Sequence, residues 1–259
     1  MKIQCQIIQT DNSILRVLID PARLGSVNMA RDEAILAAVN CGSQGTTLRF
    51  YQWAEPTISL GYFQKHDEYL AQDTVIRNLP LVRRQTGGGA ILHDDELTYS
   101  LIVPLVDDSM IDIEGLYRLV HDAFIFVLHQ LGVQANYRGG EDRGNSQRGP
   151  FFCFSRLHRL DLVVGEKKLL GSAQRRMKNA VLQHGSLILG RHFEQQKSAA
   201  LNELVQSPAE VEKLADSLAD RIAREMDLQP QFLPLSAAEQ AGAAKLQEKY
   251  AGQSWNQQR

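Results

Sequence analysis

The sequence predicts an α+β fold with much antiparallel sheet, and three observations support this. Nine short segments have the composition or alternation of strands, and several follow one another too closely for a crossover helix to lie between them. Four longer segments carry apolar residues at helical spacing. The chain has 259 residues, 44% hydrophobic and 22% charged, which suffices for one large domain, alone or with a small appendage.

The strands are predicted from runs of β-branched and aromatic residues bounded by turn formers. The clearest alternation is in segment 97–103, where Leu, Tyr, Leu and Val share one face while Thr98 and Ser100 lie on the other. The predicted strands are, in order, 5–8, 14–19, 47–53, 79–84, 90–92, 97–103, 160–164, 167–175 and 180–189.

The helices are predicted from apolar stripes and capping residues. Asn28 is the expected N-cap of helix 29–39, and helix 115–131 has a continuous apolar stripe. The sequence Ser-Pro-Ala-Glu at 207–210 has the form of a capping box with proline at the first helical position, which predicts a helix through Met226. A final helix is predicted at 236–250.

Segment 138–150 is glycine-rich, polar and without periodicity, so it is predicted to be a long loop. Loops of about 12 residues or more are usually functional lids or disordered.

Three consecutive glycines, Gly87, Gly88 and Gly89, follow Arg83 and Arg84. Glycine weakens regular structure, but it lets the backbone approach a ligand and present bare N–H groups. The arginines indicate a negatively charged ligand or partner. A flexible hairpin turn is the alternative. The common phosphate-binding glycine motifs are absent from the sequence.

Composition excludes several classes of protein. The net charge of −2 does not favour nucleic-acid binding, and no apolar run approaches membrane-spanning length. Cys5, Cys41 and Cys153 are widely spaced and form no C-x-x-C pair, so we expect neither disulfides nor structural zinc, and a cytoplasmic location. The histidines show no metal-ligand spacing, so we expect no catalytic metal.

Cys153 lies between phenylalanines directly after the long loop. A buried small hydrophobe is the ordinary interpretation of such a cysteine. However, segment 138–178 holds ten Lys or Arg and four Asp or Glu, a local charge of +6 that would favour the thiolate. A solvated basic face is the alternative for this cluster. Lys168, in an otherwise apolar strand, is a candidate to face a ligand, although lysines on strands mostly face solvent.

Six segments are informative together, in this order and spacing: Met-Ala-Arg-Asp-Glu at 29–33, Pro-Thr-Ile-Ser-Leu-Gly-Tyr-Phe-Gln at 56–64, Arg-Arg-Gln-Thr-Gly-Gly-Gly-Ala at 83–90, His-Asp at 93–94, Glu-Leu-Thr-Tyr-Ser at 96–100 and Lys-Leu-Leu-Gly-Ser-Ala-Gln-Arg at 168–175. With these segments the chain resembles the biotin/lipoate protein ligase family over nearly its whole length. Within that family it is most similar to the cysteine-dependent octanoyltransferases of the LipM type. Cys153-Phe154, Asp161 and Gln-His-Gly-Ser-Leu-Ile-Leu at 183–189 fit the octanoyltransferase subgroup.

The resemblance implies a mixed, largely antiparallel sheet flanked by helices, the class II synthetase-like fold of biotin and lipoate ligase catalytic domains. We interpret residues 1–259 as a single catalytic domain, with a helical C-terminal portion from about residue 196 packed on it and no separate accessory domain.

The resemblance also implies an activity: octanoyl transfer from acyl carrier protein, through a thioester on Cys153, to the lysine of a lipoyl-domain protein such as glycine cleavage H protein or a dehydrogenase E2 subunit. Lys168 would lie beside the acyl carbonyl, and no cofactor, nucleic acid or membrane is expected to take part. The residues expected to bind substrate are Arg83, Arg84, Thr86, Gly87, Gly88, Gly89, His93, Gly171, Ser172 and Ala173.

Three other functions stay open at this point. An ATP-dependent lipoate ligase would activate free lipoate as an adenylate and would need no cysteine nucleophile. An amidotransferase would move octanoyl between two lipoyl-domain proteins with the same cysteine chemistry. A non-catalytic protein that binds lipoyl domains would need neither Cys153 nor Lys168.

Overall fold

The computed structural model of the chain describes residues 13–105, 112–140, 150–156, 158–195 and 198–259. Its strands are β1 Ile14–Ile19, β2 Thr47–Tyr51, β3 Thr57–Leu60, β4 Leu81–Arg83, β5 Ile91–His93, β6 Glu96–Pro104, β7 Asn136–Tyr137, β8 Leu162–Val164, β9 Lys167–Arg176, β10 Ala180–Ile188 and β11 Gln229–Phe232. Its α-helices are α1 Gly25–Asn40, α2 His66–Leu70, α3 Thr74–Arg77, α4 Ile113–Gln130, α5 Val211–Glu225, α6 Ala237–Ala251 and α7 Gln253–Asn256.

The strands form a large sheet in the order β11-β1-β2-β6-β10-β9-β8-β7 and a small sheet in the order β4-β3-β5. In the large sheet β1 is parallel to both its neighbours, and every other neighbouring pair is antiparallel. The predicted α+β class, with a mixed and largely antiparallel sheet flanked by helices, is therefore confirmed.

The main core lies between the large sheet and helices α4 and α5. The stripe on α4 that includes Val120, Phe124 and Leu128 is fully buried there. Burying one such side chain stabilises the fold by about 1.5–3 kcal/mol. On the opposite face of the sheet, α1 contributes Ile35 and Leu36 to a second cluster.

The alternation predicted for residues 97–103 is present in β6, but its polar face is not exposed to solvent. Thr98 and Ser100 are buried, because helix α1 and the loops around the small sheet cover this side. Buried polar side chains need partners, and the network that supplies them forms the wall of the candidate site.

Two predicted caps are wrong. Helix α1 begins at Gly25 after Leu24, and Asn28 lies inside it, donating its side-chain amide to the carbonyls of Arg23 and Gln52 at 3.2 and 3.0 Å. Helix α5 begins at Val211, after the Ser-Pro-Ala-Glu segment, and has no side-chain cap. A capping box is present instead at the start of α6, between Ser236 and Glu239.

Several elements were not predicted: β3, α2, α3, β7, β11 and α7. The predicted strand 5–8 and residues 141–149 of the predicted loop lie outside the described residues. In the C-terminal portion, Glu239 of α6 pairs with Arg16 of β1 at 2.6 Å, and β11 adds a strand to the sheet. The single-domain interpretation stays a prediction. Among the helices that the structure describes, none is long and apolar enough to cross a membrane.

Candidate functional site

A narrow cavity opens where the glycine run, the Cys153 segment and strands β9 and β10 meet. Its volume is about 20 Å³, room for roughly one water, so a longer guest requires the walls to move. The lining residues are Met29, Tyr51, Trp53, Arg84, Ile91, His93, Thr98, Cys153, Phe154, Gly171, Ser172, Ala173, His184, Gly185 and Ser186. Nearly all the exposed wall surface is apolar, which suits an acyl chain.

Cys153 begins a short 3₁₀ turn, Cys153–Ser155, and is half-buried. Its backbone N–H donates to the carbonyl of Ala90 at 2.6 Å, while the N–H of Ala90 donates to the carbonyl of Phe151 at 2.8 Å. These two bonds hold the thiol beside the glycine run. Its Sγ lies 3.8 Å from the point where a Cβ on Gly88 would stand. Phe154 is buried but Cys153 faces the cavity, so the interpretation of Cys153 as a buried core residue is wrong.

The glycine run is not a hairpin turn. Strands β4 and β5 do not pair with each other, because both pair with β3, one on each side. Close packing explains the glycines instead. Gly88 has φ +95°, and a Cβ on Gly89 would lie 2.8 Å from the carbonyl oxygen of Phe151. The carbonyl oxygen of Gly88 lies 2.0 Å from where a Cβ on Gly61 would be.

Arg84 holds the glycine run from inside. Its Nη2 donates to the carbonyls of Gly87 and Gly89, both at 2.7 Å, and its Nε donates to Thr86 Oγ1 at 3.1 Å. Its Nη1 donates to the carbonyl and the hydroxyl of Ser59. All five N–H donors are therefore used within the protein, and no carboxylate in the described part of the chain pairs with this guanidinium.

The charge on Arg84 is buried, and this burial lowers the pKa of the guanidinium to about 10, although the nearby Cys153 acts in the opposite direction. Arg84 therefore remains a cation at neutral pH, inside the site, without a neutralising carboxylate among the described residues. Such a cation favours the thiolate form of a neighbouring cysteine.

Arg83 points away from the cavity. Its guanidinium donates to the carbonyls of Gly61 at 3.0 Å, Gln64 at 2.6 Å and Asn256 at 2.8 Å. Its backbone N–H donates to Asn256 Oδ1 at 2.8 Å. Arg83 thus fastens helix α7 to the turn after β3, and its contacts give no support to the predicted role in substrate binding.

Lys168 is buried on β9 rather than facing solvent, with only 4% of its surface exposed, so the solvent-facing alternative is wrong. Its Nζ lies 2.9 Å from Asp161 Oδ2 and donates to the backbone carbonyl of Cys153 at 3.5 Å. A Cβ on Gly171 would lie 2.3 Å from its Cε, so this glycine makes room for the lysine. Lys167 is exposed.

The pKa of Lys168 lies above its ordinary value. Burial lowers this pKa, but the electrostatic interactions with Cys153 and Asp161 together outweigh burial. Lys168 is therefore a cation at neutral pH, and with Arg84 it places two buried positive charges around Cys153.

His93 belongs to a chain of hydrogen bonds that begins at Arg84 and passes through Ser59. Burial lowers the pKa of His93 more than Glu96 raises it, so the ring is neutral. Its Nδ1–H donates to Glu96 Oε1 at 2.7 Å, and its Nε2 accepts from the Ser59 hydroxyl at 2.7 Å. The ring stacks on Trp53 at 3.7 Å between centroids. His93 lines the cavity as a rigid, uncharged wall.

A second chain of polar contacts holds the Thr86 side chain in place. The Thr86 hydroxyl bonds to His184 Nε2 at 2.6 Å, and His184 Nδ1 lies 3.7 Å from Asp32 Oδ2. Asp32 also pairs with buried Arg49 at 2.7 Å. Through these contacts α1 supports Thr86, the residue directly before the glycine run, although Asp32 and Thr86 are more than 50 residues apart in the sequence.

Ser172 forms part of a hydrogen-bond chain that the sequence did not predict. His121 Nδ1–H donates to the carbonyl of Leu160 at 2.6 Å, so its Nε2 accepts from the Ser172 hydroxyl at 2.7 Å. Ser172 Oγ in turn accepts from Tyr99 at 2.6 Å. Burial lowers the pKa of His121 to about 3, so it is a poor base at neutral pH. His121 therefore holds Ser172 in place on the wall of the cavity.

The structure thus brings Lys168 and the glycine run next to Cys153, which lines the cavity together with Arg84 and His93. The predicted wall residues Gly171, Ser172 and Ala173 line it as well. Trp53, His121 and Ser186 were missed. For His121 and Ser186 the sequence signal was a polar residue inside an otherwise apolar element. In the described residues no group of three or more His, Cys, Asp or Glu is placed to hold a metal ion.

The basic cluster of segment 138–178 does not act as one surface. Arg159 pairs with Glu114, Lys168 pairs with Asp161, and Arg138 donates to the carbonyl of His158. Arg143 and Arg148 lie outside the described residues. The alternative of a solvated basic face is therefore wrong for Lys168, which is buried.

Comparisons with known proteins identify the family to which the chain belongs. Residues 25–231 match the model of the lipoyl protein ligase A/B catalytic domain. The chain is 32% identical to the octanoyltransferase LipM of Kyrpidia tusciae over 88% of this chain and 93% of the relative. It is 33% identical to the LipM of Lysinibacillus sphaericus over 89% and 94%.

Solved structures give the same fold. A lipoate-protein ligase A with bound ATP superposes with a TM-score of 0.78 at 25% identity, covering 95% of this chain and 99% of that protein. A bipartite lipoate protein ligase from Thermoplasma acidophilum superposes with a TM-score of 0.74 at 23% identity, covering 94% and 96%. The predicted family and fold are confirmed, and the chain belongs to the lipoyl protein ligase A/B catalytic domain family.

Proposed function

We propose that this chain is an octanoyltransferase of protein lipoylation, which takes octanoyl from acyl carrier protein onto Cys153 and passes it to a lysine of a lipoyl-domain protein. The relatives named octanoyltransferase LipM support the transfer of octanoyl. The observation that supports the cysteine route is the position of Cys153 between two buried cations, Arg84 and Lys168, at the end of an apolar cavity.

In the first step the Cys153 thiolate attacks the carbonyl carbon of the octanoyl thioester. A carbon–sulfur bond forms, negative charge develops on the carbonyl oxygen, and collapse expels the carrier thiolate. In the second step the neutral amine of the acceptor lysine attacks the enzyme thioester. The Cys153 thiolate leaves, the nitrogen loses its extra proton to solvent water, and an amide results.

Lys168 would serve both steps as a cation. Its ammonium stays protonated at neutral pH because its pKa is raised, and it already contacts the main chain of Cys153 at 3.5 Å. From there it stabilises the thiolate and the developing oxyanion in both steps. Asp161 holds the ammonium in place at 2.9 Å.

Intact-mass analysis tests the covalent step. Mixing the protein with octanoyl carrier protein should add the mass of one octanoyl group, and Cys153→Ala should not acquire it. Cys41→Ala is the matched control, since Cys41 is a half-buried cysteine at the end of α1. Label on Cys41 or Cys5 in place of Cys153 would show that the assignment is wrong.

Omitting nucleotide separates the proposal from the ligase alternative. A thioester donor is already activated, so transfer should proceed with ATP absent. A strict requirement for ATP, with free lipoate or octanoate as the donor, would replace the transferase proposal with a ligase. Transfer from an octanoylated lipoyl-domain protein, but not from the carrier protein, would identify an amidotransferase.

A further inference from the structure

Six arginines of the described chain pair with a carboxylate: Arg16, Arg31, Arg49, Arg159, Arg191 and Arg221. Arg175 and Arg259, which lie near the glycine run, do not. Neither has a carboxylate within ion-pairing distance among the residues that the structure describes. In a chain of net charge −2, these two arginines place a local excess of positive charge beside the glycine run.

Both guanidinium groups lie over aromatic rings. Arg259 Cζ is 4.7 Å from the ring centroid of Tyr62 and 5.3 Å from that of Phe63, and Arg175 Cζ is 5.4 Å from Tyr62. The two rings meet edge to face at 5.0 Å. Phe63 is 64% exposed, and Arg175 Nε is buried without a hydrogen-bond partner in the described part. We call Tyr62, Phe63, Arg175 and Arg259 the arginine–aromatic rim.

The rim borders the reactive thiol. Phe63 Cδ2 lies 3.8 Å from where a Cβ on Gly87 would be, and Cys153 Sγ lies 3.8 Å from the corresponding point on Gly88. Phe63 and Cys153 therefore lie beside consecutive residues of the glycine run, Gly87 and Gly88. A molecule that reaches Cys153 from this side must pass the rim.

An exposed aromatic residue beside arginines is typical of surfaces that bind another protein. Arginine binds carboxylates through paired hydrogen bonds, and aromatic residues with arginine are the usual anchors of interfaces. The octanoyl chain itself has no charge to offer these groups, and its place is the apolar cavity.

The chemistry of the second step indicates which partner the rim binds. The nucleophile is a lysine, whose ammonium form is repelled by Arg84, Lys168, Arg175 and Arg259 as it approaches. Like charges brought together at an interface cost several kcal/mol. An acceptor that carries carboxylates beside its target lysine would cancel this repulsion and pair with the rim.

We propose that the arginine–aromatic rim docks an acidic face of the acceptor protein, with the carboxylates that flank its target lysine on Arg175 and Arg259 and an apolar side chain on Phe63. This inference rests on the proposed function, because it assigns the acceptor for the acyl-enzyme on Cys153.

The experiment separates acyl loading from acyl transfer. The enzyme is first loaded with octanoyl N-acetylcysteamine, a small uncharged thioester, and loading is followed by intact mass. Transfer is then measured to glycine cleavage H protein and, separately, to the small amine Nα-acetyl-lysine amide. For Arg175→Glu we expect kcat/KM with the protein acceptor, relative to that with the small amine, to fall at least tenfold. For Phe63→Ala we expect this ratio to fall severalfold because the KM for the protein acceptor rises.

Two variants control for charge and for exposed aromatic surface. Arg176→Glu makes the same charge change on the next residue of β9, which is exposed and points to the opposite face of the strand. Phe232→Ala removes another exposed phenylalanine, on β11 at the far edge of the sheet. Both should keep the wild-type ratio. Added salt should lower the wild-type kcat/KM for the protein acceptor and affect Arg175→Glu less.

Equal effects of Arg175→Glu and Arg176→Glu would overturn the inference. Loss of loading from octanoyl carrier protein, with transfer to the acceptor intact, would assign the rim to the donor and also overturn it. If wild-type enzyme forms no acyl-enzyme, the proposed function fails, and the rim is tested by binding alone. In that case fluorescently labelled acceptor should still bind the unacylated wild type more tightly than Arg175→Glu, and equal affinities would refute the rim.

Discussion

The substitution Lys168→Ala should lower the stability of the protein as well as its activity. The side chain is 4% exposed and pairs with Asp161, which is 2% exposed. Removing the lysine leaves a buried carboxylate with the backbone N–H of His158 as a remaining partner, at 2.8 Å. Breaking a buried pair from one side costs about 3–5 kcal/mol. For a domain of this size that lowers Tm by roughly 6–20 °C, at about 2–4 °C per kcal/mol.

The assay compares thermal unfolding and octanoyl transfer in the same set of variants. Lys167→Ala is the matched control, because Lys167 is the preceding residue, is exposed, and should change stability by no more than about 0.5 kcal/mol. Lys168→Met with Asp161→Asn removes both charges and should recover part of the lost Tm. Transfer by Lys168→Ala should fall about a hundredfold or more at temperatures where the variant is fully folded.

The reasoning has two independent points of failure. A Tm change below about 2 °C for Lys168→Ala would mean that the pair with Asp161 is not buried as described. A double variant that recovers both Tm and transfer would show that Lys168 serves only to neutralise Asp161, and its part in the chemistry would be lost.

Three other predictions concern pH and packing. His121 is held neutral, with its pKa lowered from 6.5 to about 3; its stabilising effect is complete above pH 6.5 and is lost as pH falls toward 3. As pH falls from 6.5 toward 3, the free energy of unfolding should therefore decrease more steeply in wild type than in His121→Gln. The two slopes should differ by about 1.4 kcal/mol per pH unit, measured by urea denaturation. The raised pKa of Lys168 predicts the opposite dependence: its contribution is complete below pH 10.5 and is lost as pH rises beyond its folded pKa, so Lys168→Met should flatten an alkaline Tm profile. Gly61→Ala places a Cβ 2.0 Å from the carbonyl oxygen of Gly88, so it should slow labelling of Cys153 by octanoyl thioester. Gly42→Ala, at an open position with φ +76°, should cost only stability, and equal labelling rates in the two variants would contradict the packing argument.

Periodicity predicted much of the sheet. Segments 97–103, 167–175 and 180–189 correspond to β6, β9 and β10 within two residues at each end, because each is a long run with β-forming composition. The short elements escaped detection. Strand β3 has four residues that are all buried, so it shows no alternation, and α2 and α3 are each about one turn long.

For the site, the sequence identified residues that carry unusual chemistry but not the direction in which they point. Arg83 and Arg84 are adjacent and look equivalent in the sequence. Successive residues at the end of a strand face opposite ways, so one guanidinium reaches the glycine run and the other reaches α7. The partners of His121, Ser172 and Thr86 come from other elements, and a local pattern contains no information about them.

The hydrogen bonds between Arg83 and Asn256 have a consequence for folding during synthesis of the chain. The turn after β3 and the glycine run are synthesised in the first third of the chain, whereas Asn256 leaves the ribosome among the last residues of this sequence. Domains synthesised from the N-terminus can begin to fold early, but here the support beneath the glycine run is not complete until α7 has emerged and docked. Nascent chains stalled before residue 253 should therefore react more slowly at Cys153 with thioesters than chains that include α7.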